Sequence, residues 1–182
     1  MIFTESPLRG AFIIDPEPVE DARGLFARTW CRREFEARGL ETRMAQCSTS
    51  FNTRKGTLRG MHYQVPPFAE TKIVRCVRGS MHDVIIDLRP GSPTFTRYVA
   101  VVLTAENRKM LYVPAGFAHG FQTLEDATEV FYQISEVYSP EHARGVRWDD
   151  PAFHIAWPED ERAIVARDRS YPDFHPPLFV AP

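Results

Sequence analysis

The chain has 182 residues, about the length of one domain and enough for a core that needs no disulfide or metal staple. Lysine plus arginine is 22 against 24 aspartate plus glutamate, a net charge of −2, which argues against a general nucleic-acid binder. Hydrophobic residues at 43% and charged residues at 25% argue against wholesale disorder.

From the N-terminus, Met1 to Ile14 carries Glu5, Pro7 and Arg9 in place of a long apolar run, so it does not read as a signal peptide. No later stretch approaches the roughly 20 apolar residues of a membrane span. Cys31, Cys47 and Cys76 are odd in number and form no C-x-x-C pair, which fits a reducing compartment better than a disulfide framework or zinc ribbon. The expectation is a soluble cytoplasmic protein.

Arg32 to Arg38, followed by Gly39, is predicted as a two-turn helix with a glycine cap. Leu58 to Gln64 reads as a strand. Ile73 to Val77, Val84 to Leu88, Tyr98 to Leu103, Met110 to Val113 and Thr128 to Ile134 follow as short Val-, Ile-, Tyr- and Phe-rich strands. Gly, Pro, Ser, Asn and Asp mark the breaks between them, at Arg78-Gly79-Ser80, Arg89 to Pro93, Thr104 to Asn107, Pro114 to Gly116 and Leu124 to Asp126. Strands about a dozen residues apart, with no helix of crossover length between them, predict an all-β antiparallel barrel rather than βαβ units. After Pro140 the chain reads as packed loops and short helical turns. The whole of 1–182 is expected to be one domain with an N-terminal extension and a C-terminal wrap.

Strand alternation gives a first hint of chemistry. Lys72, Val74 and Cys76 share one face, and Ile73, Arg75 and Val77 the other. Val130, Tyr132 and Ile134 share a face, as do Leu58, Gly60, His62 and Gln64. If these faces line the barrel, a His, a Lys and a Tyr converge in one cavity. A lone His or Tyr on an apolar face is more often a hydrogen-bonded core residue. A lysine there is harder to explain that way, because desolvating an ammonium is costly; the bland alternative is a stem that lies along the face while its head escapes to solvent. Only three lysines occur in the chain, Lys55, Lys72 and Lys109, which makes Lys72 stand out.

Several segments carry more than pattern. Leu58-Arg59-Gly60-Met61-His62-Tyr63-Gln64 leads into Thr71-Lys72-Ile73-Val74-Arg75. Pro114-Ala115-Gly116-Phe117-Ala118-His119-Gly120-Phe121 follows a strand. Tyr132, Tyr138-Ser139-Pro140, Trp148-Asp149-Asp150-Pro151, Ile155-Ala156-Trp157-Pro158 and Arg167-Asp168 come after, and Asp21-Ala22-Arg23-Gly24-Leu25-Phe26 lies before. Together, from about Phe12 to Asp168, they resemble the dTDP-4-dehydrorhamnose 3,5-epimerase family, a branch of the cupins.

The resemblance implies a cupin-type antiparallel jelly-roll barrel acting, without a cofactor, on a nucleotide-linked 4-keto-6-deoxy sugar. It implies His62 as base, Lys72 as stabiliser of the enolate, Tyr132 as acid, and Asp168 as the partner of His62. Tyr138 matches a second tyrosine near the sugar, and Arg59 and His119 match positions that meet the pyrophosphate. Gln46, Arg23 and Phe26 match nucleotide-holding positions, the last two reaching in from the partner subunit of a homodimer. Arg28 stands where the family has a glutamate near the base, and Ser48 where it has an asparagine. A carboxylate accepts a hydrogen bond and a guanidinium only donates, so base recognition differs at that point. The family's Y-K-x-T reads Tyr132-Gln133-Ile134-Ser135 here, which leaves inversion at C3, at C5 or at both open.

The chemistry suits those residue types. A C–H beside a ketone is acidic because the carbanion delocalises onto oxygen. Epimerisation needs a base near neutral pH, a cation for the enolate and an acid on the other face. A metal-dependent cupin is disfavoured: Gln64 stands where a second histidine ligand would be, leaving His62, Glu70 and His119, and Lys72 would oppose a metal's charge. A mono-epimerase acting on a different NDP-4-keto sugar, a non-catalytic sugar-nucleotide-binding cupin and a sugar ketoisomerase remain as alternatives.

Overall fold

Short runs broken by Gly and Pro have no length for helices but suffice for strands. The computed structural model describes residues 1–176. Its order is β1 (Ile2–Glu5), β2 (Phe12–Asp15), β3 (Val19–Asp21), β4 (Gly24–Phe26), α1 (Arg32–Glu36), β5 (Gln46–Asn52), β6 (Leu58–Gln64), β7 (Lys72–Arg78), β8 (Ser80–Asp87), β9 (Tyr98–Thr104), β10 (Met110–Val113), β11 (Phe117–Thr123), β12 (Thr128–Ile134), β13 (Ala143–Gly145) and α2 (Ala166–Arg169). One sheet runs β1-β2-β10-β7-β12-β5 and the other β13-β6-β11-β8-β9, while β3 and β4 form a separate hairpin. Neighbouring strands pair antiparallel throughout. This is the expected all-β jelly-roll.

The packing explains the apolar runs. Val74, Cys76, Leu111, Val113 and Val130 of the six-stranded sheet meet Met81, Ile85, Leu103, Phe117 and Phe121 of the five-stranded sheet in one core. The alternate residues face outward and are also covered. Ile14, Ile73, Met110 and Tyr112 pack under Phe35 of α1, with Trp30, Leu40 and Met44 beside it. Met61, Val84, Ile86 and Ala118 pack under Val146, Phe153, Trp157 and Phe174 of the C-terminal wrap. Strands covered on both faces read as continuous apolar runs, as Met110 to Val113 does.

All the strands read from the sequence are present, and α1 ends as expected. Gly39, at φ +67°, closes it, with its N–H bonded to the Glu36 carbonyl and that of Leu40 to the Phe35 carbonyl, which is the paired C-terminal cap that favours glycine. The short helical turn foreseen in the tail is α2.

One face assignment is corrected. On β6 the register pairs Arg59 with Phe121 but His62 with His119, so β6 carries one residue more than β11 between those pairs. This bulge puts Arg59 and His62 on the same inward face and breaks the Leu58–Gly60–His62 alternation. It depends on two glycines. A Cβ at Gly60 would lie 2.7 Å from the Gly120 Cα, and one at Gly120 would lie 2.6 Å from the Met61 sulfur and 2.7 Å from the Arg59 carbonyl oxygen.

Candidate active site

A cavity of about 950 Å³ lies between the two sheets. The five-stranded sheet contributes Arg59, His62, Gln64 and His119, and the six-stranded sheet Gln46, Ser48, Ser50, Lys72 and Tyr132. The C-terminal segment adds Arg167, Asp168 and Tyr171, and the 135–142 loop adds Tyr138.

His62 Nε2 lies 2.8 Å from Asp168 Oδ1. Asp168 is buried on α2, and its Oδ2 accepts the Gly60 N–H at 3.0 Å. Burial alone would raise this carboxyl, but the hydrogen bond from His62, the Gly60 N–H and Arg167 outweigh burial and hold it below the usual carboxylate range. An ionised Asp168 accepting from Nε2–H leaves the His62 lone pair on Nδ1, the arrangement a general base requires.

Lys72 Nζ pairs with Glu70 Oε1 at 2.8 Å, both side chains being about one-tenth exposed. Lys72 is therefore held inside the cavity and does not escape along its stem. Glu70 Oε2 accepts from Gln64 at 3.1 Å. The side-chain amide of Gln64 also donates to the carbonyls of Phe68 and Val137, and its Oε1 accepts the Ser139 N–H at 2.6 Å. The glutamine that stands in a metal ligand's place is thus a clamp on the two loops that carry Glu70 and Tyr138.

Tyr132 lies opposite Val74 on β7 and Ser48 on β5. Burial pushes its phenol far above the ordinary value; the charge of Asp83 acts in the same direction and Arg59 opposes both. It is a neutral O–H donor across the working pH range. Its ring meets that of His119 edge-on at 6.1 Å. His119 is itself buried, with Nε2 2.6 Å from Asp83 Oδ1. Asp83 Oδ2 is buried without a partner among the described residues.

Arg59 donates through Nε to Asn52 Oδ1 at 2.7 Å, and Asn52 is fixed by the carbonyls of Ser50 and Thr128. No carboxylate pairs with Arg59 among the described residues, so its outer nitrogens are left for an anion. Arg144, Arg167 and Arg169 also line the cavity. That excess of cations suits a diphosphate.

The residues that the resemblance assigns to the nucleotide sugar divide. Gln46 and Ser48 line the cavity from β5, whereas Tyr138 stands at its edge, 57% exposed. Arg23 and Phe26 project from the β3–β4 hairpin, Phe26 being 77% exposed, and neither lines the cavity of its own chain. Arg28 also lies outside the cavity lining, paired with Glu34 at 3.0 Å. Sequence reasoning passed over Ser50, Asn52, Asp83, Arg144, Arg167's contact with His62, and Tyr171. Alternation along β5 from Gln46 and Ser48 would have reached Ser50; the others are long-range partners with no local signal.

A family profile described as dTDP-4-dehydrorhamnose 3,5-epimerase matches residues 5–176. A dTDP-4-dehydrorhamnose 3,5-epimerase of Sinorhizobium fredii is 40% identical over 173 residues, 94% of this chain and 89% of that protein. The crystal structure of the Bacillus anthracis dTDP-4-dehydrorhamnose 3,5-epimerase with TDP and PPi bound superposes with a TM-score of 0.91 at 36% identity, covering 95% of this chain and 99% of that one. ChmJ, a 3′-monoepimerase from Streptomyces bikiniensis in complex with dTDP-quinovose, gives a TM-score of 0.86 at 34% identity over 92% of this chain and 85% of that one. Matched along nearly its whole length in both sequence and backbone, the chain belongs to the dTDP-4-dehydrorhamnose 3,5-epimerase family.

Proposed function

We propose that the protein epimerises a nucleotide-linked 4-keto-6-deoxy sugar, by default dTDP-4-dehydro-6-deoxy-D-glucose to dTDP-4-dehydro-L-rhamnose. The observation that carries this reading is the division of the groups between sheets: His62 comes from β6 in one sheet, Lys72 and Tyr132 from β7 and β12 in the other. A sugar lying between them presents one ring face to a base and the opposite face to an acid.

In the proposed reaction His62 Nδ1 takes the proton from the carbon beside the ketone. The C–H electron pair passes to the ketone oxygen as an enolate, which the Lys72 ammonium stabilises. Collapse of the enolate takes a proton from the Tyr132 hydroxyl on the other face, and solvent returns a proton to tyrosine and removes one from histidine. The sequence balances without an oxidant, reductant or metal. Arg59 and the rim arginines hold the diphosphate, and Gln46, Ser48 and Tyr138 face the rest of the nucleotide sugar.

The active form is proposed to be a cytoplasmic homodimer in which the β3–β4 hairpin brings Arg23 and Phe26 to the partner's cavity. Support comes from the exposure of Val19 and Phe26, cross-strand neighbours on that hairpin, since a contiguous exposed apolar patch marks an interaction surface. No helix among the described residues is long and apolar enough to cross a membrane.

Incubation with the dTDP sugar in D₂O tests the reading. Deuterium is expected at C3 and C5 of the product; absence of exchange at both positions with thymidine and other nucleotide sugars would overturn it. Exchange at C3 alone would favour a 3-epimerase, a reading supported by the similarity to ChmJ.

A further inference from the structure

The nitrogen of His62 that faces Asp168 also faces a second group. Arg167 Nη2 lies 3.2 Å from His62 Nε2, and Arg167 Nε lies 3.2 Å from Asp168 Oδ1. A neutral imidazole nitrogen bears either a proton or a lone pair. As N–H, Nε2 donates to Asp168 and offers nothing to Arg167. As a lone pair, it accepts from Arg167 and opposes Asp168. The two neighbours therefore favour different tautomers of the same ring, and only the first leaves a lone pair on Nδ1.

The competitors differ in freedom. Asp168 is 1% exposed and pinned by the Gly60 N–H, so it stays. The Arg167 side chain is 62% exposed and lines the cavity with Arg144 and Arg169. A planar guanidinium prefers the paired oxygens of a phosphate to a single imidazole nitrogen. Resting on the nucleotide-sugar reading above, we propose that Arg167 is a positioning residue that competes with Asp168 for His62 Nε2 in the free protein. The substrate's diphosphate draws it off and commits His62 to the tautomer whose Nδ1 is the base. The base is then fully armed only when substrate is bound.

The other groups around His62 do not reproduce this effect. Tyr171, after α2, meets the ring edge-on at 6.3 Å. His119 lies directly opposite on β11 but is tied to Asp83. Arg144 on β13 lies opposite Tyr63, one residue along, and donates to the carbonyls of Glu141 and Ala143. Across the cavity Lys72 is paired with Glu70, and Arg59, Tyr132 and Tyr138 complete the lining. Arg167 is the cation with a direct contact to the ring.

Nitrogen-15 NMR of the imidazoles, with thymidine diphosphate as probe, tests this. In the native protein the probe is expected to move His62 towards the Nε2–H tautomer. Arg167→Gln is expected to show the Nε2–H tautomer without the probe, which then adds less than half of the native tautomer shift. Arg167→Lys, keeping a cationic donor, is expected to return the free protein towards the native tautomer ratio. A native-like tautomer ratio in the free Arg167→Gln protein, or an undiminished shift on adding the probe, would overturn the proposal while leaving the epimerase reading intact. Failure of thymidine diphosphate to bind the native protein would overturn the thymidine-nucleotide reading and this proposal with it.

Discussion

His62 and Tyr132 belong to different sheets, so removing one leaves the other in place. His62→Asn is expected to abolish deuterium exchange at both carbons, a loss of at least 10² to 10⁴, roughly the scale of general base catalysis. Tyr132→Phe removes the acid but not the base, so exchange should continue while inverted product falls; loss of both in proportion would remove Tyr132 from its role. Lys72→Arg preserves charge but replaces a compact ammonium held at 2.8 Å from Glu70 by a planar fork. Turnover is expected to fall by about 10² to 10³, the cost of misplacing one stabiliser of a developing oxyanion. Near-native turnover would count against the assignment. Lys72 and Tyr132 were legible from strand period, because the β7–β12 register runs unbroken from Val130–Cys76 to Ile134–Lys72 and its one irregularity lies beyond, at Glu129. Arg59 joining His62 was not, because the β6 bulge shifts the period by one residue and the glycines that permit it act across strands, on each other.

At the level of elements, what the sequence conceals is how distant segments are tied together. The Asp150 of the Trp-Asp-Asp-Pro segment accepts the Ala152 N–H at 2.9 Å through one oxygen and the Phe174 N–H at 2.6 Å through the other. Phe174 packs on Phe153, with ring centroids 5.0 Å apart. This clamp holds the tail that carries Arg167, Asp168 and Tyr171. Asp150→Ala, which leaves the half-buried Phe174 N–H without its carboxylate partner, is expected to lower stability by about 1–3 kcal/mol. It is also expected to lower kcat, although Asp150 lines no part of the cavity; kinetics and melting measured together check both. A second carboxylate sets acid stability. Burial would raise Asp87, but hydrogen bonds from Arg89, Ser92 and Thr94 bring it down to about 2. Its native pKa lies below the unfolded value, so its contribution, about 2 kcal/mol, is present above about pH 4 and fades as pH falls towards 2. Asp87→Asn should flatten the loss of stability over that window in acid titrations of melting temperature. Neither tie announces itself locally. The same holds for β5 and β11: β5 is rich in Ser and Thr because its inner face lines a polar cavity, and β11 begins straight after Pro114-Ala115-Gly116, so both lack the Val-, Ile-, Tyr- and Phe-rich signal by which β7 to β10 and β12 were found.

At the level of the whole molecule, each chain has a cavity whose own Arg23 and Phe26 point elsewhere. The Arg23 side chain is 90% exposed and, among the described residues, pairs only with Asp21 on the same hairpin, at 2.6 Å. Burying Phe26 and Arg23 in a two-fold partner would give both a function, and a two-fold axis then makes every site a composite: catalytic groups from one chain, hairpin from the other. Such a site can be reconstituted from two defective chains. His62→Ala and Arg23→Ala proteins should each be nearly inactive alone, the first in chemistry and the second in substrate binding at low concentration. Unfolded together and refolded, half of the dimers are mixed. In each mixed dimer one site carries both defects, and the other pairs native His62 with native Arg23. Activity should therefore return to about one quarter of the native level per site, the statistical yield for two-fold pairing. Refolding the same chains separately and then mixing them provides the control, with no recovery on the time scale of the assay. If co-refolding restores nothing while native mass spectrometry shows mixed dimers, the hairpin serves its own chain and Arg23 has no place in the partner's site.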